Sequence, residues 1–158
     1  MLEFCGEERC RVDANGRVRL TQRWVDDFAR KCGGEIVMCV LPEGAVALYP
    51  EDTYREIRAR ETSDADNVGA SFAARRSLRR NGSLAMSVAL SPQGRVTLPE
   101  RFRKLTGLQP GVEACIAGAE IGVEIWNAER FDAEMEAADL QLEKQRQLEY
   151  ESLTEGAK

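Results

Sequence analysis

The chain has 158 residues, 22 lysines and arginines against 27 acids, no histidine and a formal net charge of −5. Without histidine there is no Ser-His or Cys-His pair, and no glycine-rich phosphate loop of the Walker type is present, so an enzyme is the weakest reading and no catalytic residue is assigned. Cys5, Cys10, Cys32, Cys39 and Cys115 lack any Cys-x-x-Cys spacing, and no apolar stretch or signal peptide points to a membrane, so the expectation is a cytoplasmic protein with reduced thiols, no metal and no cofactor.

A first strand is expected near Arg9 to Asp13, turning through Ala14-Asn15-Gly16 and returning along Arg17 to Leu20. A three-residue loop pairs Val12 with Val18, Arg11 with Arg19 and Cys10 with Leu20, which gives each face one character, whereas a two-residue loop mixes charged and apolar residues. Such a loop is a type I turn followed by a left-handed residue, the place for Gly16, with Asp13 favoured at its first position. Arg11, Arg17 and Arg19 then share the face away from the core. A two-stranded ribbon of this kind fits the DNA major groove, and guanidinium groups pair with phosphate or guanine; the alternative is a solvated outer face.

A helix follows from Gln22 to about Lys31, with Trp24, Val25 and Phe28 on its apolar stripe, ending at Cys32-Gly33-Gly34. Ile36 to Leu41 and Ala45 to Tyr49 read as a hairpin across Pro42-Glu43-Gly44, and residues 51 to about 60 begin another helix. Thr62 to Asn67 carries turn chemistry, and Val68 to Arg80 reads as a basic amphipathic helix closed by Asn81-Gly82, with Phe72 and Leu78 packed inward. Its arginines solvate a surface or contact DNA backbone.

The opening pattern then recurs. Leu90-Ser91-Pro92-Gln93-Gly94-Arg95-Val96-Thr97-Leu98 repeats strand, turn and strand, pairing Leu90 with Val96 and Val88 with Leu98, and a helix runs through Leu105. A hairpin spans Val112 to Trp126, with Gly118 and Gly122 flanking its turn. From Ala128 to about Leu153 the residues are helix formers, with Phe131, Met135, Ala138 and Leu142 at helical spacing, either docking on a neighbour or belonging to a frayed terminal helix. Each repeat is too short for a sufficient core alone, so joining halves or subunits is expected.

Charge follows this organisation. Arg9, Arg11, Arg17, Arg19 and Arg23 surround one acid, Asp13, in the first copy, and a second basic set runs from Arg75 to Lys104, while acids collect from Asp132 onward. A polarised molecule directs its basic face to DNA despite the negative total.

At these two copies the chain resembles the MraZ family, bacterial transcription regulators built from tandem domains of the AbrB type. The Asp-x-x-x-Arg motif matches Asp13 and Arg17, with Gly16, Val18 and Leu20 around it; Gly94-Arg95-Val96-Thr97-Leu98-Pro99, Phe102-Arg103-Lys104 and Gly107-Leu108 resemble the AbrB run from hairpin into helix. Two departures stand out: Ser91 replaces the second aspartate and frees or loosens Arg95, and Thr21 replaces a common proline but is itself a helix-capping residue. The resemblance implies an α+β, mainly β fold of two swapped-hairpin barrel units with short helices: residues 4–60, a linker helix region 61–83, residues 84–132, and an acidic C-terminal helix and tail 133–158. It also implies a ring-like homo-oligomer, associated with the nucleoid, that binds repeated double-stranded DNA boxes in the promoter of the division and cell-wall gene cluster. Arg17 and Arg95 are the leading contacts, Arg11 and Arg19 support them, and Arg103 and Lys104 match DNA-contacting positions of AbrB-like proteins; Asp13 orients Arg17, and Gly16 and Gly94 allow the turns. A ring-forming scaffold or antagonist without DNA binding, and an AbrB-like antitoxin, are the competing readings.

Overall fold

A computed structural model describes residues 2–62 and 71–156. The turn residues 63–67 and the expected helix start at Val68 lie outside the described residues. One compact unit covers residues 1–127 and a second covers 128–158.

The first unit contains, in chain order, β1 (Glu7–Arg11), β2 (Arg17–Arg19), α1 (Gln22–Cys32), β3 (Ile36–Val40), β4 (Val46–Pro50), α2 (Glu51–Glu61), α3 (Phe72–Ser83), β5 (Ala85–Val88), β6 (Arg95–Thr97), α4 (Glu100–Thr106), β7 (Glu113–Gly118) and β8 (Val123–Asn127). The result is α+β with antiparallel pairing throughout. Six strands form one open sheet in the order β1-β7-β8-β4-β3-β5, and β2 pairs with β6 as a separate ribbon. No closed barrel forms among the described residues, which corrects that part of the expected fold.

The strand partners are also corrected. The turns form as their spacing predicts: Gly16 N–H donates to Asp13 O at 3.0 Å, Gly94 N–H to Ser91 O at 2.8 Å, and both glycines have positive φ, 75° and 80°. Beyond one closing contact in each copy, Asp13 N–H to Arg17 O and Ser91 N–H to Arg95 O, the expected ladders within each copy are absent. Instead β1 pairs with β7 of the second copy, β5 with β3 of the first, and β2 with β6. The exchange is reciprocal, since Leu20 N–H donates to Gly94 O and Leu98 N–H to Gly16 O, each at 2.9 Å. Strand alternation assigns a face to each residue but not a partner strand, so both schemes bury Val18 and Val96.

The core explains the preference for exchange. Trp24 and Phe28 of α1 are fully buried with Phe4, Leu20, Leu48, Leu98, Ile116 and Ile125, so residues from both copies form one cluster. Trp24 Nε1–H donates to Cys5 O, and the buried Asp27 accepts the Phe4 N–H at 3.1 Å and pairs with Arg30, tying the N-terminal segment to α1. Gly118 permits a close crossing there: a Cβ would lie 2.2 Å from Phe4 O. The opposite face of β3 and β4 carries Cys39, Ala47 and Tyr49 under Tyr54 and Ile57 of α2.

Two smaller expectations fail. Phe72 is 87% exposed rather than packed inward, because it sits at the outer start of α3, which Ser71 caps and which runs on to Ser83. Thr21 does not cap α1 through its side chain; only its carbonyl receives the Trp24 and Val25 N–H groups. The second unit is α5 (Ala128–Gly156), 29 residues long, on which Met135 and Leu142 of the expected stripe are exposed. Among the described residues no helix is long and apolar enough to cross a membrane, and no group of three acidic or cysteine side chains is arranged for a metal ion.

Candidate nucleic-acid interface

The exchanged ribbon sets the geometry of the basic surface. In β2 and β6, Arg17 stands opposite Thr97, Val18 opposite Val96, and Arg19 opposite Arg95. The valines face the core and are 2% exposed each, so by alternation Arg17, Arg19, Arg95 and Thr97 share the outer face. Because the flanking Leu20–Gly94 and Leu98–Gly16 pairs are hydrogen-bonded, Arg19 and Arg95 form a non-hydrogen-bonded pair, the closer kind, at about 4.5 Å between Cα atoms. Like charges directly opposite each other destabilise a ladder. A polyanion against this face removes the repulsion.

Each arginine is held differently. Asp13 Oδ1 accepts the Asn15 and Arg17 N–H groups at 2.9 Å and Oδ2 accepts Arg17 Nε–H at 3.2 Å, so the carboxylate fixes both turn and guanidinium. The Arg17 backbone N–H is the main reason that the Asp13 carboxyl lies below its ordinary value, with the Asn15 N–H and the Arg17 side chain adding to it against a smaller opposing effect of burial. In the second copy Ser91 Oγ accepts the Arg95 N–H at 2.9 Å but makes no bond to the guanidinium. Arg95 is exposed and has no side-chain partner among the described residues. Arg19 Nε–H donates to Gln93 O at 3.1 Å, which braces one copy's arginine on the other copy's turn.

The remaining expected contacts lie elsewhere. Arg11 belongs to β1 of the six-stranded sheet rather than the ribbon, and its Nη1 donates to Gly111 O at 2.9 Å. Arg103 Nε–H donates to Leu98 O at 3.0 Å with its guanidinium over Gly16, where a Cβ would lie 2.8 Å from Nε. It therefore buttresses the base of the ribbon. Lys104 pairs with Glu100 at 3.4 Å, both well exposed. At Gly94 the obstacle is backbone rather than a flexible side chain, since a Cβ there would lie 2.8 Å from Leu20 O.

Thr97 was absent from the sequence-based set. Pairing within each copy places it opposite no arginine, and the repeat alone carries no signal of the exchange. It now lines a groove of about 410 Å³ with Arg17, Arg95, Ser87 and Ser91, an open trough supplying guanidinium and hydroxyl donors without a carboxylate. That donor set suits phosphate oxygens.

A family model described as "MraZ protein, putative antitoxin-like" matches residues 83–150. A protein of Cereibacter sphaeroides named "Transcriptional regulator MraZ" is 33% identical over 147 residues, 86% of each chain. Proteins of the same name from Nitrosomonas europaea and Marinobacter nauticus are each 25% identical, covering 85% and 87% of this chain and 88% and 90% of their own lengths.

Proposed function

This chain belongs to the MraZ family, and on that premise we propose that it is a sequence-specific transcriptional regulator whose β2–β6 ribbon binds double-stranded DNA. The carrying observation is the face on which Arg19 opposes Arg95 beside Arg17, with Asp13 as the only carboxylate joined to it among the described residues. Arg17, aimed by Asp13, and Arg95, unrestrained beside Ser91, make the leading contacts. Arg19 and Thr97 add phosphate contacts, Arg103 holds the ribbon's base, and Arg11 and Lys104 play supporting roles at its margins.

One ribbon neutralises few phosphates. Several copies in a ring-like homo-oligomer make later contacts intramolecular, raising avidity by ~10² to 10⁴ on DNA boxes spaced to match. In this reading residues 4–60 and 84–132 act as paired DNA-binding units joined through 61–83, followed by the acidic segment 133–158. The targets are repeated boxes upstream of the division and cell-wall genes and of the protein's own gene, at the nucleoid.

The test is a gel-shift titration against that upstream region between 50 and 200 mM salt, with Arg17→Ala alongside. A salt-sensitive shift lost in the variant is expected. An unchanged shift in Arg17→Ala removes that arginine from the interface, and no shift on any box sequence favours the ring-forming scaffold.

A further inference from the structure

Helix α3 presents a second surface that the DNA reading does not use. Phe72, Arg75, Arg76 and Arg79 have the i, i+3, i+4, i+7 spacing of one helix face. Phe72 is 87% exposed with the Arg75 guanidinium stacked on its ring at 5.1 Å, while Arg76 and Arg79 are exposed and make no ion pair among the described residues. The helix contains no acid. A face joining a bare aromatic to cations needs a partner both acidic and apolar.

The same chain carries such a surface. A groove of about 600 Å³ lies between the N-terminal segment, the start of α2 and the β7–β8 turn, lined by Glu3, Asp52, Glu56 and Glu120 against one cation among the described residues, Lys31. Leu2 and Ile121 on its rim are 84% and 48% exposed. Within it Glu3 Oε2 is buried without a hydrogen-bond donor among the described residues. A buried carboxylate oxygen left so is costly until a donor arrives.

We propose that α3 of one copy docks into this acidic groove of a second copy, Phe72 entering between Leu2 and Ile121 and Arg76 and Arg79 pairing with the carboxylates. A copy does not satisfy its own groove. Arg80 anchors α3 to Val40 O at 2.7 Å beside Tyr54 and Ile57, whereas the groove opens along the Asp52, Thr53 and Glu56 face of α2. Two different patches meeting make a heterologous contact, which repeats head to tail and closes as a ring or continues as a filament. The proposal rests on the reading of this protein as a self-associating regulator and names the surfaces that join its copies.

The experiment compares the full-length protein with Arg76→Glu, Glu56→Arg and their combination by size-exclusion chromatography with light scattering, and by gel shift on the upstream DNA. Both positions are exposed on their helices, so the fold is retained, as circular dichroism checks. Each single reversal is expected to lower the mass toward the 17.6 kDa of one chain, and the combination to restore it. Unchanged mass in both single variants, or no recovery in the combination, overturns the docking while leaving DNA binding intact. A wild-type protein of one-chain mass overturns it too. If Arg76→Glu weakens DNA binding at unchanged mass, α3 is a DNA backbone contact instead.

Discussion

Replacing Arg95 with threonine separates what the ribbon costs from what it does. The substitution removes one of two like charges in the closer kind of cross-strand pair, and threonine suits an exposed strand. Since the Arg95 side chain bonds to nothing described, no hydrogen bond is lost. Relief of the repulsion is worth about 0.2 to 1 kcal/mol, a rise of a few degrees in Tm for a unit of this size. The gain shrinks in 1 M salt, where the Debye length is about 3 Å. DNA binding moves the other way. If Arg17, Arg19 and Arg95 each neutralise one phosphate, the ribbon's log–log salt slope is about −2.7, and a fourfold rise in salt weakens binding about 40-fold; with one arginine gone the slope is about −1.8 and the loss about 12-fold. Thermal melts at fixed protein concentration and gel shifts from 50 to 200 mM salt read both quantities. A destabilised variant refutes the strained-pair argument. A stabilised variant with an unchanged salt slope refutes the ribbon as the DNA surface.

Three further outcomes follow from the packing. Gly94→Ala and Gly16→Ala share the left-handed penalty of about 1 to 2 kcal/mol, but the first also drives a Cβ against Leu20 O at 2.8 Å while the second meets the flexible Arg103 side chain, so urea denaturation should rank Gly94→Ala as clearly the costlier. Asp27→Ala strands the buried Phe4 N–H and should cost about 1 to 3 kcal/mol in the same assay; a neutral result would mean the N-terminal segment is not held through α1. Burial raises the Cys39 thiol to about 11, leaving about 0.1% thiolate at pH 8, and Cys115 is fully buried. A thiol-reactive dye at pH 8 should therefore modify at most three cysteines in the native protein and all five after unfolding; rapid native labelling of Cys39 contradicts the packing of α2 on β3.

Much of this molecule was legible from residue spacing. The left-handed glycines, the type I turns opened by Asp13 and Ser91, the apolar stripe of Trp24 and Phe28 and the second hairpin in each copy follow from rules that act over a few residues. These rules also specify which side chains turn inward, so Val18 and Val96 face the core whichever strand they pair with. They do not choose that partner, because an alternating strand buries the same residues against its own hairpin or against its counterpart in the other copy. Tertiary packing made that choice: with the strands exchanged, α1, Phe4 and the hairpins of both copies fill one core. That exchange brings Arg19 opposite Arg95, moves Arg11 off the ribbon and adds Thr97 to it, so the basic surface is a property of the assembled pair of repeats rather than of either one.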